Sequence, residues 1–419
     1  MEELRKVLLV GVDLGEEDFE RSMEELRCLA EACDLQVTGI ITQRMEMVNK
    51  AFYIGTGKVQ EVKLYARECE AEEVIFDNTL SPSQIRNLTK ELDMPILDRT
   101  NLILDIFAIR ARTGEARLQV EMAKLQYMLP RLVGMHESLG RQGGTGGSMS
   151  NKGAGEKKLE LDRRKIEHRI SELKKELENV ERSREIQRKR RNASRVPQVA
   201  LVGYTNAGKS TILNRMLDAY GRVQDKQVLE KDMLFATLET SVRSIDPGDG
   251  RPFLLADTVG FIHKLPHGLV KAFHSTLEEV RYADLLVQVV DFSDENYRQQ
   301  MEVTAETLKE LEIGDIPQII VYNKADKCRM CDLPKVGENC IHMAAGAGIG
   351  IAELVRLIQN TLYEDYRETC FLIPYDQGST ASYLQEQAVV LEKEYRGDGL
   401  YLKLSCHEQD CRRYEKYVI

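Results

Sequence analysis

Val199-Ala200-Leu201-Val202-Gly203-Tyr204-Thr205-Asn206-Ala207-Gly208-Lys209-Ser210-Thr211 is the stretch on which the fold turns. Its four leading apolar residues read as a short buried strand. The next eight spell G-x-x-x-x-G-K-[ST], and Thr211 to Leu217 continues with helical spacing. Strand, glycine loop and helix in that order make a phosphate-binding loop. Gly203 and Gly208 let the backbone turn its N–H groups inward, and the helix adds its positive end. In such a cradle Lys209 reaches the β and γ phosphates of a nucleotide, and the Ser210 hydroxyl holds Mg²⁺.

Three further motifs follow. Asp257-Thr258-Val259-Gly260 ends the apolar run Phe253 to Ala256. A carboxylate there holds the Mg²⁺ shell through water, and the Gly260 N–H can approach a γ-phosphate with no side chain between. Asn323-Lys324-Ala325-Asp326 follows Gln318 to Tyr322. The Asp326 carboxylate can accept from guanine N1–H and the 2-amino group. Adenine would leave it unpaired, and such a site rejects the wrong base by roughly 10⁴-fold. The nucleotide is therefore GTP or GDP. Ala344-Ala345-Gly346 sits where a Ser-Ala-x turn contacts the guanine oxygen; Ala344 keeps the backbone N–H and loses the hydroxyl.

Between the first two motifs lies Phe235-Ala236-Thr237-Leu238-Glu239, the place of a switch threonine. Thr237 is expected to touch Mg²⁺ and the γ-phosphate only in the GTP state. With Lys209 and Gly260 it is the candidate for transition-state contacts. Phe261 stands where a water-orienting Gln is common, so intrinsic hydrolysis is expected to be slow. Asn206 occupies a loop position at which some GTPases bind K⁺; the other reading is an Asn accepted in a turn.

The rest of the 419-residue chain divides into segments. Residues 1–115 alternate strands and helices, with Gly55-Thr56-Gly57-Lys58 as a helix-opening turn, and give an α/β domain with a mostly parallel sheet. Residues 116–195 carry two seams at heptad spacing: Leu118, Met122, Leu125, Leu129, Leu132, then Ile166, Ile170, Leu173, Leu177, Val180. They predict an antiparallel helical hairpin projecting as an arm. Its joining stretch, 134–155, holds eight glycines and reads as a loop. Residues 196–365 form the nucleotide domain, a P-loop domain with a doubly wound, mostly parallel sheet. Residues 366–419 read as a small α/β unit: strand Cys370 to Pro374, helix Ser379 to Tyr395, strand Leu400 to Ser405.

Net charge is −10, which excludes a wholly basic nucleic-acid protein. The charge is uneven: Lys152 to Arg195 holds sixteen Lys/Arg against nine Asp/Glu, ending in Arg188-Lys189-Arg190-Arg191. That run could grip RNA phosphates. No apolar run reaches the ~18 residues that span a bilayer, and Met1-Glu2-Glu3-Leu4-Arg5-Lys6 does not open a signal peptide, so a cytoplasmic location is expected. Nine cysteines then read as reduced thiols. Cys328, Cys331, Cys340 and His342 have a spacing that could hold zinc, or are loop thiols; Cys406 and Cys411 carry a weaker signal.

The chain resembles the HflX-type GTPases over nearly its whole length. The resemblance rests on the phosphate loop, Phe235 to Leu238, Asp257 to Phe261, Leu80-Ser81-Pro82-Ser83-Gln84-Ile85-Arg86-Asn87-Leu88 and Asp98-Arg99-Thr100-Asn101-Leu102-Ile103-Leu104-Asp105-Ile106-Phe107. It implies a cytoplasmic GTPase that binds the large ribosomal subunit, including ribosomal RNA at the arm's tip, and acts in splitting or recycling ribosomes under stress; a monomer is expected. Where members usually read G-T-R-G-P-G-E-T-Q-L-E, this chain reads Ser150-Asn151-Lys152-Gly153-Ala154-Gly155-Glu156-Lys157-Lys158-Leu159-Glu160. Lys for Arg loses a bidentate phosphate contact. A GTP-gated module that docks without splitting, or a switch acting on a protein partner, fits the same residues.

Overall fold

A run of apolar residues with no alternation marks a strand covered on both faces, and Val7 to Val10 is such a run, fully buried in β1 (Arg5–Asp13). The structure is a computed structural model; it describes residues 4–15, 18–141, 150–193, 196–221, 241–264, 278–328 and 332–419. Among these, one compact unit holds residues 4–181 and 263–264, and a second holds the others.

In the first unit β1 is followed by α1 (Phe19–Ala32), β2 (Leu35–Arg44), α2 (Thr56–Glu68), β3 (Glu73–Phe76), α3 (Pro82–Leu92) and β4 (Ile96–Asp98). The sheet runs β2-β1-β3-β4, all parallel. Gly55 caps α2, the expected helix-opening turn. Ser81 and Gln84 form a reciprocal capping box at α3, with Pro82 at its start.

One helix is an addition to the sequence reading: α4 (Arg99–Arg110) begins directly after β4. Asp98 caps it, accepting from Asn101 N at 3.0 Å, and also takes the Leu80 N–H at 3.0 Å and the Tyr127 hydroxyl. Arg99 is 2 % exposed and pairs with Asp77 at 2.7 Å and with Glu25. Ser22 donates to the other Asp77 oxygen at 2.7 Å. Two adjacent polar residues thus bind a sheet edge, α1 and the next helix into one body.

That next helix is α5 (Gly114–Arg141), followed by α6 (Ser150–Ala193). On α6 the predicted seam is buried at Leu173 and Leu177, while Ile166, Ile170 and Val180 are half-buried. On α5 the reading needs correcting. Leu118, Met122, Leu125 and Leu129 are only half-buried, and the most buried stripe is Ala116, Val120 and Ala123, on a helix that packs with α3 and α4. A helix held from two sides needs two stripes, and the larger residues form the less buried one. The Gly-rich stretch also differs from expectation. Both helices run into it, so 134–141 and 150–155 are helical, and 142–149 lie outside the described residues. Extending a formed helix is far cheaper than nucleating one, which offsets scattered glycines.

The second unit opens with β5 (Gln198–Gly203), α7 (Lys209–Tyr220), β6 (Ser241–Ile245), β7 (Phe253–Asp257) and α8 (Glu278–Arg281). It continues with β8 (Leu285–Asp291), α9 (Tyr297–Glu310), β9 (Gln318–Asn323), β10 (Lys335–Val336), β11 (Cys340–His342) and α10 (Ile351–Leu362). Strand order is β10-β11-β9-β8-β5-β7-β6, parallel except for the two edges. Val199, Leu201, Ile212, Met216, Leu255 and Val287 lie in its core.

The last segment comprises β12 (Tyr366–Ile373), α11 (Gly378–Gln387), β13 (Val389–Arg396), β14 (Gly399–His407) and α12 (Glu408–Arg413). It is antiparallel, ordered β12-β14-β13, and the helix predicted to reach Tyr395 stops at Gln387. Val389-Val390 are β-branched, and Gly397-Asp398 closes a two-residue turn with Arg396 paired to Gly399. That is a hairpin signal which outweighs the helical spacing upstream.

Candidate nucleotide site

Parallel strands present their carboxyl ends on one edge, and ligands bind there. Gly203, Asp257, Asp291 and Asn323 end β5, β7, β8 and β9. The motifs found along the sequence therefore share that edge.

Lys209, the first residue of α7, is 7 % exposed. Its ammonium donates to Gly203 O at 3.0 Å and Tyr204 O at 2.7 Å, folded back over the loop that would hold phosphates. Burial lowers its pKa to about 8, against the opposing pull of the Asp257 carboxylate. The Thr205 hydroxyl in the same loop is buried and has no hydrogen-bond partner among the described residues. A cradle holding a desolvated ammonium and an unsatisfied hydroxyl suits an anion. Gly208, at φ +98°, is obligatory: an added Cβ would lie 2.2 Å from Asn323 Nδ2. Thr211 follows on α7, half-buried.

Ser210 Oγ donates to Asp257 Oδ2 at 2.7 Å, and Asp257 is fully buried. Two hard oxygen donors side by side, one anionic, fit Mg²⁺. Thr258 Oγ1 donates to Leu201 O at 2.6 Å, which locks the end of β7 to β5. An added Cβ on Gly260 would meet Thr205 Cα at 2.7 Å, so this stretch lies directly against the phosphate loop. Val259 is buried beside it. Phe261 is 2 % exposed, and its backbone pairs with the loop on both sides: Phe261 N–H to Gly203 O at 3.1 Å, Thr205 N–H to Phe261 O at 2.8 Å.

At the base end, Asn323 is a strut. Its Nδ2 donates to Ala207 O at 2.9 Å, and its Oδ1 accepts the Ala345 N–H at 2.9 Å. Lys324 donates to Asn206 O at 2.8 Å and pairs with Asp291 at 2.7 Å. Asn206 and Lys324 both have left-handed φ, +60° and +59°, a conformation that itself favours Asn. Ala325 is buried, and Asp326 stands exposed beside it. The Ala344 N–H, expected to face the guanine oxygen, donates to Ile349 O at 3.1 Å, and Gly346 O accepts from Arg215 at 2.8 Å.

Phe235, Ala236, Thr237, Leu238 and Glu239 lie outside the described residues, as does Cys331. Of the other zinc candidates, Cys328 donates to Phe292 O at 3.2 Å and His342 stacks on Tyr322, rings 4.6 Å apart. No group of three or more possible metal ligands occurs among the described residues. Asp291 and Arg215 escaped the sequence reading. The signal for Asp291 was there, an acid closing the apolar run Leu285 to Val290; Arg215 carried none. No helix among the described residues is long and apolar enough to cross a membrane.

The chain is similar to known proteins over nearly its whole length. Three family models match in order: GTP-binding GTPase N-terminal over residues 20–108, GTP-binding GTPase middle region over 110–191, and 50S ribosome-binding GTPase over 198–324. The GTPase HflX of Caldanaerobacter subterraneus subsp. tengcongensis is 42% identical across 100% of this chain and 96% of its own. That of Escherichia coli is 37% identical across 93% and 90%. Among solved structures, a GTP-binding protein from the hyperthermophilic archaeon Sulfolobus solfataricus in complex with GDP aligns with 86% of this chain and 99% of its own, at 25% identity and TM-score 0.45.

Proposed function

The chain belongs to the GTPase HflX family, and from that premise we propose that its hydrolysis of GTP gates association with the large ribosomal subunit in the splitting or recycling of ribosomes. The observation that carries the nucleotide half is the meeting of Lys209, Ser210–Asp257 and Asn323 around one loop. The ribosomal half is supported by the match to a 50S ribosome-binding GTPase family over residues 198–324 and by the basic end of α6.

Lys209 exchanges its two carbonyl partners for phosphate oxygens when GTP enters. Bound Mg²⁺ would supply charge neutralisation to the phosphates; Ser210, Asp257 through water and, in the GTP state, Thr237 are the residues that would hold it. Asn323 fixes the spacing between the phosphate and base ends of the site, and Asp326 reads guanine. Phe261 has a buried ring and a committed backbone, so it orients no water; the alignment of the nucleophile comes from the ribosome. The Thr237 segment and the Asp257–Phe261 segment, ordered by GTP, couple nucleotide state to binding with about 1–3 kcal/mol. Asn206 sits in a left-handed turn, φ +60°; hydrolysis compared in K⁺ and Na⁺ tests whether it also holds K⁺.

Hydrolysis measured with added large subunits at two salt concentrations tests this. We expect at least tenfold acceleration, weaker at the higher salt. No acceleration together with no co-sedimentation would remove the ribosome from the account. Light scattering of intact ribosomes then separates splitting from docking.

A further inference from the structure

Cys406, next to last in β14, and Cys411, on α12, are separated by four residues that turn the chain from strand to helix. Their sulfurs lie 3.1 Å apart. Cys406 is wholly buried in the core of Phe371, Leu402 and Leu404, while Cys411 is half-buried at its margin. The Thr369 hydroxyl, 3.3 Å from the Cys411 sulfur, holds that thiol against its neighbour. A disulfide needs about 2.05 Å between sulfurs, so roughly 1 Å of side-chain movement joins them. Cys370 is excluded as a partner: Thr369 and Phe371 on either side of it face the core, and its sulfur sits 3.3 Å from the Tyr401 hydroxyl.

We propose that Cys406 and Cys411 form a redox site, a dithiol that closes into an intramolecular disulfide when the protein meets a low-molecular-weight disulfide. The half-buried Cys411 attacks first. Its thiolate forms a bond to one sulfur of R–S–S–R, breaking the S–S bond and expelling one R–S⁻, which takes up a proton. Cys406 then loses its proton to solvent and displaces the second R–S⁻ from Cys411. Two protein thiols are oxidised, one R–S–S–R is reduced to two R–SH, and atoms and electrons balance. Burial and the adjacent Cys411 push the Cys406 thiol up, which suits a resolving thiol over an attacking one. Closure pins α12 onto β14. Neither sulfur belongs to the nucleotide site, so basal GTP hydrolysis stays unchanged in Cys406→Ala and serves as the folding control.

The test uses the full chain, incubated with glutathione disulfide, quenched in acid and alkylated with N-ethylmaleimide. Intact mass is expected to show seven of the nine cysteines alkylated and no retained glutathione. Cleavage after Glu408 is then expected to give two peptides joined through Cys406 and Cys411, separable only by reduction. Nine alkylated cysteines, or a crosslink that maps elsewhere, overturn the proposal. Cys406→Ala is expected to hold one glutathione on Cys411; a variant that hydrolyses GTP normally yet takes up none overturns the order of attack. The wild-type peptide map decides the crosslink without any variant.

Discussion

Lys209 is the residue whose environment makes the sharpest demand on solution behaviour. Free of nucleotide it is desolvated and its pKa is lowered to about 8. Phosphate oxygens would favour the charged form and raise it. A group whose pKa is higher in the bound state contributes affinity fully below the free value and loses it as pH rises beyond that value. GTP binding is therefore expected to be flat between pH 7 and 7.5 and to weaken above pH 8, with uptake of roughly half a proton at pH 8. Calorimetry in buffers of different ionisation heat reads that uptake directly. Zero uptake at pH 8 would mean that the ammonium never leaves the carbonyls of Gly203 and Tyr204. Most of this site was legible from residue spacing, because a phosphate cradle needs particular residues at fixed intervals. The place of Asp291 was legible too, at the end of the apolar run Leu285 to Val290; its role was not, since it holds Lys324 from a different strand, and only the sheet order puts the two within 2.7 Å.

Among the elements, legibility followed how local the determinants are. Helix α3 announces itself in Ser81-Pro82-Ser83-Gln84, where cap, first-turn proline and reciprocal partner are contiguous, and it starts at Pro82. Helix α4 does not. Asp98 and Arg99 start it, but their partners Asp77, Glu25 and Tyr127 are distant in sequence, so tertiary contacts supply the signal. β13 is the exception: its signals, Val389, Val390 and the Gly397-Asp398 turn, are local, but the helical spacing of Ser379 to Gln387 runs directly into them and competes with them. The local case gives a local prediction. Ser81→Ala removes the hydroxyl that accepts from Gln84 N at 3.3 Å, and a lost cap costs about 1 kcal/mol. With two units in the chain, a single global transition is a poor readout. Amide hydrogen exchange within α3 is better, and protection there should fall roughly fivefold with β5 unchanged. An unchanged exchange rate would show that Gln84, which also reaches Asn49 O at 3.1 Å, fixes the turn without Ser81.

Over the whole molecule, charge is divided in a way that would suit a polyanionic partner. The net charge is −10, which opposes binding to RNA at long range. Yet residues 152–195 hold a surplus of seven positive charges, closing on Arg188-Lys189-Arg190-Arg191 at the end of α6. Solvated helix faces mix both signs, as Arg163 with Glu167 and Arg164 with Glu160 do further up the same helix. Four consecutive cations, with Glu185 as the one acid within a helical turn before them, would fit a phosphate backbone. If each neutralises one phosphate, each releases a counterion, and the logarithm of affinity falls with the logarithm of salt by roughly 0.7–0.9 per contact. Replacing all four by Gln should leave GTP hydrolysis without ribosomes unaltered. Binding to large subunits should weaken at low salt, and the salt slope should become shallower by roughly three. Sedimentation with large subunits from 50 to 200 mM salt gives that slope. A variant that binds less tightly with the slope intact would place the loss in the shape of the arm; one that binds equally well would move the phosphate contacts off α6 altogether.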